Sequence, residues 1–169
     1  MITLGDPIAT GKTKPVVWGI AEEFARSKGF SPGDRIEPLI ERLGGRLVYL
    51  HSGDSIEAED GSLLVYAPGD FEIMVSAFTG PERDRFTIAH ELGHYVLHSD
   101  LGKRPIRAAR FESNRVEWEA NWFAAAFLMP EDDFRLACSR YQKDQPSVAA
   151  RYMVSPKAVA VRMESLGLT

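Results

Sequence analysis

No hydrophobic period can be traced through the first fifteen residues, where Gly, Pro and Thr interrupt a mostly polar stretch, so a loose arm is predicted over 1–15. Helical spacing of apolar positions then predicts helices at about 17–28 and 34–43, the second stopped by Gly44-Gly45. Three short apolar runs at 46–51, 62–67 and 72–77 predict strands. Pro68-Gly69-Asp70 is a turn signal, so the last two strands read as a hairpin. From Pro81 onward the period is helical, over about 82–99, 113–128, 131–142, 146–152 and 156–166, with Pro130 and Pro146 at boundaries. Strands early and helices late predict one α+β domain over 16–169, in which short N-terminal helices and a small sheet precede a helical half.

One of these helices carries an unusual polar stripe. Turned at about 100° per residue, Thr87, His90, Glu91, His94 and His98 fall within a sector roughly 100° wide. Phe86, Ile88, Ala89, Leu92, Gly93, Tyr95, Val96 and Leu97 cover nearly all the rest, the signature of a buried helix. Polar groups on a buried surface need partners, and a metal ion supplies one. His90 and His94, at i and i+4, project from successive turns and can reach one zinc. Glu91 lies too far round to be a ready third ligand, but it is placed to take a proton from water and return it to a leaving amine. A chance HExxH in a chain of this length occurs on the order of once in a few hundred, and the apolar surround disfavours a surface helix with scattered histidines. His98 reads either as a group behind the metal ligands or as a histidine capping the helix end.

A catalytic zinc commonly has three protein ligands and a water. Glu112, Glu117 and Glu119 are the next candidates. In 114–128 the apolar face runs through Val116, Ala120, Phe123, Ala124 and Phe127, with Glu117 at its edge beside Asn121, whereas Glu119 is expected on the opposite side with Arg115 and Trp122. Glu117 is therefore the expected third ligand. Ala120 and Ala124 would let the two helices approach closely. Asn121 reads either as a residue orienting a ligand or as a buried amide bonded to backbone.

The run RFTIAHELGHYVLH, followed in order by EWEANWFAAAFLMP, resembles the ImmA/IrrE family of metallopeptidases, over nearly the whole chain after about residue 15. The resemblance implies a zincin-like, gluzincin-type fold and zinc as cofactor, with manganese a substitute in vitro. It points to Glu117 as third ligand, in agreement with the helical argument. It also implies a protein substrate, a helix-turn-helix transcriptional repressor whose cleavage or release from DNA relieves repression. On the same resemblance, 169 residues leave no room for the C-terminal sensory domain of some longer relatives. The competing reading is an antirepressor or toxin–antitoxin partner without proteolysis, its zinc structural or sensing; a purely structural site has no need of Glu91.

The remaining features change this picture little. No apolar run approaches the roughly 20 residues of a membrane span, no secretory signal opens the chain, and the single Cys138 excludes an internal disulfide, so a cytoplasmic protein is expected. A formal net charge of −4 gives no general attraction to nucleic acid, and the cluster Lys103, Arg104, Arg107 and Arg110 reads as a solvated loop face. Cys138 reads as a small apolar residue. Residues 146–167 resemble a helix-turn-helix half, with Ser155 as cap, Pro156 in the first turn and Gly167 as stop. Packing is the expected role there, and contact with DNA or a repressor the minority one. Gly11-Lys12-Thr13 is rejected as a phosphate loop, because the preceding glycine is misplaced and no strand leads into it. The strand at 72–77 is expected either as a paired core strand or as an exposed edge able to hold an extended peptide.

Overall fold

The computed structural model describes residues 1–51, 62–109 and 114–169. Helix α1 (Lys14–Ser27) begins earlier than its apolar face suggests, because Pro15 fits the first turn, where no backbone N–H is required. Its face of Val17, Ala21, Phe24 and Ala25 is buried. Helix α2 (Glu37–Arg42) is shorter than expected and also starts on a proline in its first turn. It ends at Gly44, whose φ of +89° and approach to Gly69 leave no space for a side chain: an added Cβ would lie 2.1 Å from the Gly69 carbonyl oxygen.

Strands β1 (Gly45–Leu50), β2 (Ser62–Ala67), β3 (Asp70–Ser76) and β4 (Ile106–Ala109) form one sheet in the order β1-β3-β2-β4. The expected hairpin is present as the antiparallel pair β2–β3, and β1 runs parallel to β3. Strand β3 is therefore paired on both sides, which overturns the reading of 72–77 as an exposed edge for a peptide. Strand β4 was not expected. Its four residues, with Arg107 outward among Ile106 and Ala108, are too few for a readable alternation. Burial alternates strictly along β3, so one sheet face is covered and the other, with Arg46, Glu72 and Tyr66, is wet.

Helix α3 (Pro81–Gly93) lies under the covered face and continues as a π-helical turn, His94–His98. Tyr95 stacks on Phe71 of β3 with ring centroids 4.1 Å apart, fixing this helix to the sheet. Helix α4 (Arg115–Leu128) packs on the other side of α3, and α1 covers α4 through Phe24, Phe123 and Phe127. So α3 is enclosed on both sides, as its apolar circumference predicts. The alanines at 120 and 124 are fully buried at this contact, and Gly93 completes it: a Cβ there would sit 3.1 Å from that of Phe123.

Helices α5 (Glu131–Arg140), α6 (Gln145–Tyr152) and α7 (Pro156–Ser165) follow. Ser155 caps α7 as expected, accepting from the Ala158 amide at 3.1 Å, and Met153 turns the chain between α6 and α7 in the left-handed region. Among the described residues no helix is long and apolar enough to cross a membrane.

The segment before α1 departs from the expected loose arm. Gly5 pairs with Pro105 and Arg107 beside β4, and the amides of Thr10 and Gly11 donate to Glu119 of α4. Lack of periodicity was a poor guide here, since an extended segment held through its backbone needs none.

Candidate metal centre

Two helices supply the site. Helix α3 and its π turn present His90, Glu91, His94 and His98, all essentially without solvent exposure, and α4 presents Glu117, Glu119 and Asn121. Asn114 caps α4 by accepting from the Glu117 amide at 3.1 Å, which fixes the first turn where Glu117 sits.

One ligand atom from each of His90, His94 and Glu117 falls within 4.8 Å of the others. His90 Nε2 and His94 Nε2 are 3.2 Å apart, and the Glu117 carboxylate lies 2.8 Å from the first and 3.1 Å from the second. Glu112, the third candidate considered from sequence, lies outside the described residues.

The far nitrogens of both histidines are also occupied. His90 Nδ1 lies 2.7 Å from Asn121 Oδ1, an acceptor, so the proton of His90 belongs on Nδ1 and Nε2 keeps its lone pair. His94 Nδ1 lies 2.8 Å from His98 Nδ1, and His98 Nε2 lies 3.0 Å from Glu119 Oε1. Burial and the neighbouring His94 push His98 down to about 4, so its ring is neutral at pH 7. Facing a carboxylate, neutral His98 carries its proton on Nε2 and accepts at Nδ1. His94 must then donate from Nδ1, which leaves His94 Nε2 unprotonated. Two nitrogen lone pairs and a carboxylate oxygen thus converge in a buried space, a donor set that repels itself unless a cation lies between its members. The residues fit a metal ion.

Glu91, next to His90 on α3, is 1% exposed. Asn121 is solvent-exposed and its Oδ1 meets His90, so the reading of a buried amide on backbone does not hold. His98 is no helix-end cap, because both of its ring nitrogens engage side chains.

Glu119 requires the larger correction. Expected opposite the apolar face of α4 with Arg115 and Trp122, it is fully buried and accepts from Thr10 N and Oγ1 at 2.9 Å each, Gly11 N at 3.0 Å and Arg115 Nε at 3.1 Å, besides His98. Burial alone would raise it, but these donors bring it down to about 2. Arg115 does share its side of the helix, but at Glu119 that side is covered by residues 10–12 and by His98. Periodicity within α4 sees one apolar face and cannot register a polar face covered from elsewhere in the chain. The available signal was a carboxylate directly before Ala120 and level with a third histidine. The rejected Gly-Lys-Thr run does offer its glycine amide to an anion, and that anion is Glu119.

A cleft of about 1220 Å³ opens between α1, the start of α3, α4 and α7, with Trp18, Phe86, Thr87, Asn121, Trp122 and Lys157 in its wall. Lys103 and Arg104 are exposed in the turn before β4, as a solvated loop face requires, whereas Arg107 is exposed on β4 itself; Arg110 lies outside the described residues. Cys138 is buried, and burial pushes its thiol up, away from nucleophilic character.

Fold and site together define an α+β protein with a candidate single-metal centre of two histidines and a glutamate. The chain belongs to the Peptidase_M78 family, the IrrE N-terminal-like domain, which matches residues 40–164. It is 33% identical over 116 residues to the radiation response metalloprotease IrrE of Deinococcus deserti, a match covering 65% of this chain and 39% of that protein. It is also 27% identical over 154 residues to the HTH-type transcriptional regulator RamB of Mycobacterium tuberculosis, covering 86% of this chain and 31% of that protein. A solved structure, described as a Mycobacterium tuberculosis transcriptional regulator, superposes with a TM-score of 0.62 at 21% identity, over 89% of this chain and 46% of that one, and shares the fold. The chain therefore spans less than half the length of each of these relatives.

Proposed function

We propose that this protein is a zinc-dependent endopeptidase of zincin-like architecture that hydrolyses a peptide bond in a protein substrate, a helix-turn-helix transcriptional repressor. The observation that carries the reading is the convergence of His90 Nε2, His94 Nε2 and the Glu117 carboxylate beside a buried Glu91. His90, His94 and Glu117 would hold the zinc, which when bound would supply Lewis acidity toward a carbonyl and a water. Asn121 and His98 hold the two imidazoles in the tautomer that offers Nε2. Glu91 takes the proton from the attacking water and delivers it to the departing amine nitrogen. The cleft along Thr87 and Asn121 has room for a polypeptide segment beside this machinery. A metalloprotease among the relatives supports the reaction, and a helix-turn-helix regulator among them supports a regulatory setting.

The likeness to a transcriptional regulator along 86% of the chain also favours a second reading, a non-proteolytic antirepressor or toxin–antitoxin partner whose metal is structural or sensing. Incubation of the zinc-loaded protein with the repressor encoded beside its gene separates the two. Cleavage by the wild type, abolished in a Glu91→Gln variant that still binds zinc, is the expected result; an active, zinc-loaded Gln variant contradicts the role of Glu91. An intact repressor in a stable complex with the wild type favours the second reading.

A further inference from the structure

The N-terminal segment reaches the candidate metal centre through a continuous chain of hydrogen bonds. Its near end is Glu119, with no solvent exposure and both oxygens engaged. Oε1 accepts from the Thr10 amide, the Thr10 hydroxyl and His98 Nε2; Oε2 accepts from the Gly11 amide and Arg115 Nε. Arg115 also donates to the Lys12 carbonyl, and the Lys12 amide donates to Thr10 Oγ1, so residues 10–12 close on themselves around the carboxylate. Farther out, Gly5 pairs with residues flanking Ile106, which anchors the segment beside β4.

A carboxylate held by this many donors cannot rotate to follow His98, so His98 must follow it. The His98 ring is oriented by Nε2–H on Glu119, and its Nδ1 then defines where His94 Nδ1–H must point. We infer that Glu119 and the Thr10–Gly11 backbone are positioning groups for the metal centre: they orient His94 through His98, and docking of residues 5–12 and metal binding stabilise one another. Such coupling is reciprocal by thermodynamic necessity. Neither Glu119 nor residues 10–11 touches the space between His90, His94 and Glu117, so their effect travels through the two rings. The inference rests on His90, His94 and Glu117 as the metal set, but not on proteolysis.

The test is zinc affinity measured by chelator competition, together with the visible absorption of the cobalt-substituted protein, for the wild type, Glu119→Gln and Thr10→Val. Loss of a partner behind a metal-bound histidine typically weakens affinity tenfold to a hundredfold. Glu119→Gln is expected in that range with an altered cobalt spectrum, because an amide presents two donors where the Gly11 amide and Arg115 also donate. Thr10→Val removes one hydroxyl donor and is expected to shift affinity the same way by less. Val159→Ala, a buried change in α7, serves as a stability control and is expected to bind zinc like the wild type. If Glu119→Gln fails to fold, Thr10→Val decides. In the reciprocal direction, zinc should slow hydrogen exchange at the Thr10 and Gly11 amides more than at amides of α7. Wild-type affinity and cobalt spectrum in the folded variants, or uniform slowing of exchange, would overturn the coupling. A wild type that binds no zinc would overturn the metal set itself.

Discussion

At the scale of single residues, protonation is set by what each ring faces. His98 is neutral because it is buried and beside His94, and Glu119 is ionised because donors surround it. Both act on stability in the same direction. An unfolded histidine takes its proton near pH 6.5 and folded His98 only near 4, so the unfolded state holds the extra proton between those values and stability falls as pH drops through them. Glu119, brought from 4.5 to about 2, adds a further loss as pH falls through that lower window. Urea midpoints of the chelator-treated protein should therefore decline from about pH 6.5 downward, and His98→Gln should flatten the decline between 6.5 and 4. A wild-type midpoint level across that interval would show that His98 is not buried in neutral form. That His90, His94 and Glu117 come together was legible from their spacing and the apolar surround of two helices. Glu119 was not, because its partners at 10, 11 and 98 lie on three other parts of the chain.

At the scale of elements, the site depends on how closely α3 and α4 approach. Gly93 sits in that contact, with the Ala120 carbonyl oxygen 3.2 Å from where its Cβ would be. Gly93→Val would force the helices apart and carry Glu117 and Asn121 away from the histidines. Overpacking of this kind costs about 1–3 kcal/mol. Calorimetry should show that loss in the metal-free protein, and zinc affinity should fall with it; unchanged affinity at reduced stability would mean that the helix spacing does not set the ligand geometry. Helix α3 was predicted as one unbroken helix, but its last turn is π-helical, with the Ser99 amide bonded to the His94 carbonyl five residues back. Residue spacing could not reveal this, because a wider turn keeps the same side chains on the stripe. Register and turn signals gave the β2–β3 hairpin; the parallel partner β1 and the short β4 depend on long-range pairing that local pattern does not carry.

At the scale of the whole molecule, the α+β class was readable from the order of strands and helices, whereas the closure of the chain's first residues over α4 was not. The sheet fixes α3 through Phe71 and Tyr95, α1 fixes α4 through a cluster of phenylalanines, and residues 5–12 tie β4 to Glu119. These contacts bring His90, His94 and Glu117 to one point from segments that are separate in the sequence. The central claim is that this point holds a metal ion. Anomalous diffraction at the zinc edge from crystals grown with equimolar zinc tests it most directly. One strong peak within bonding distance of His90 Nε2, His94 Nε2 and a Glu117 oxygen is the predicted result; a peak elsewhere, or none beside these three atoms, would contradict it.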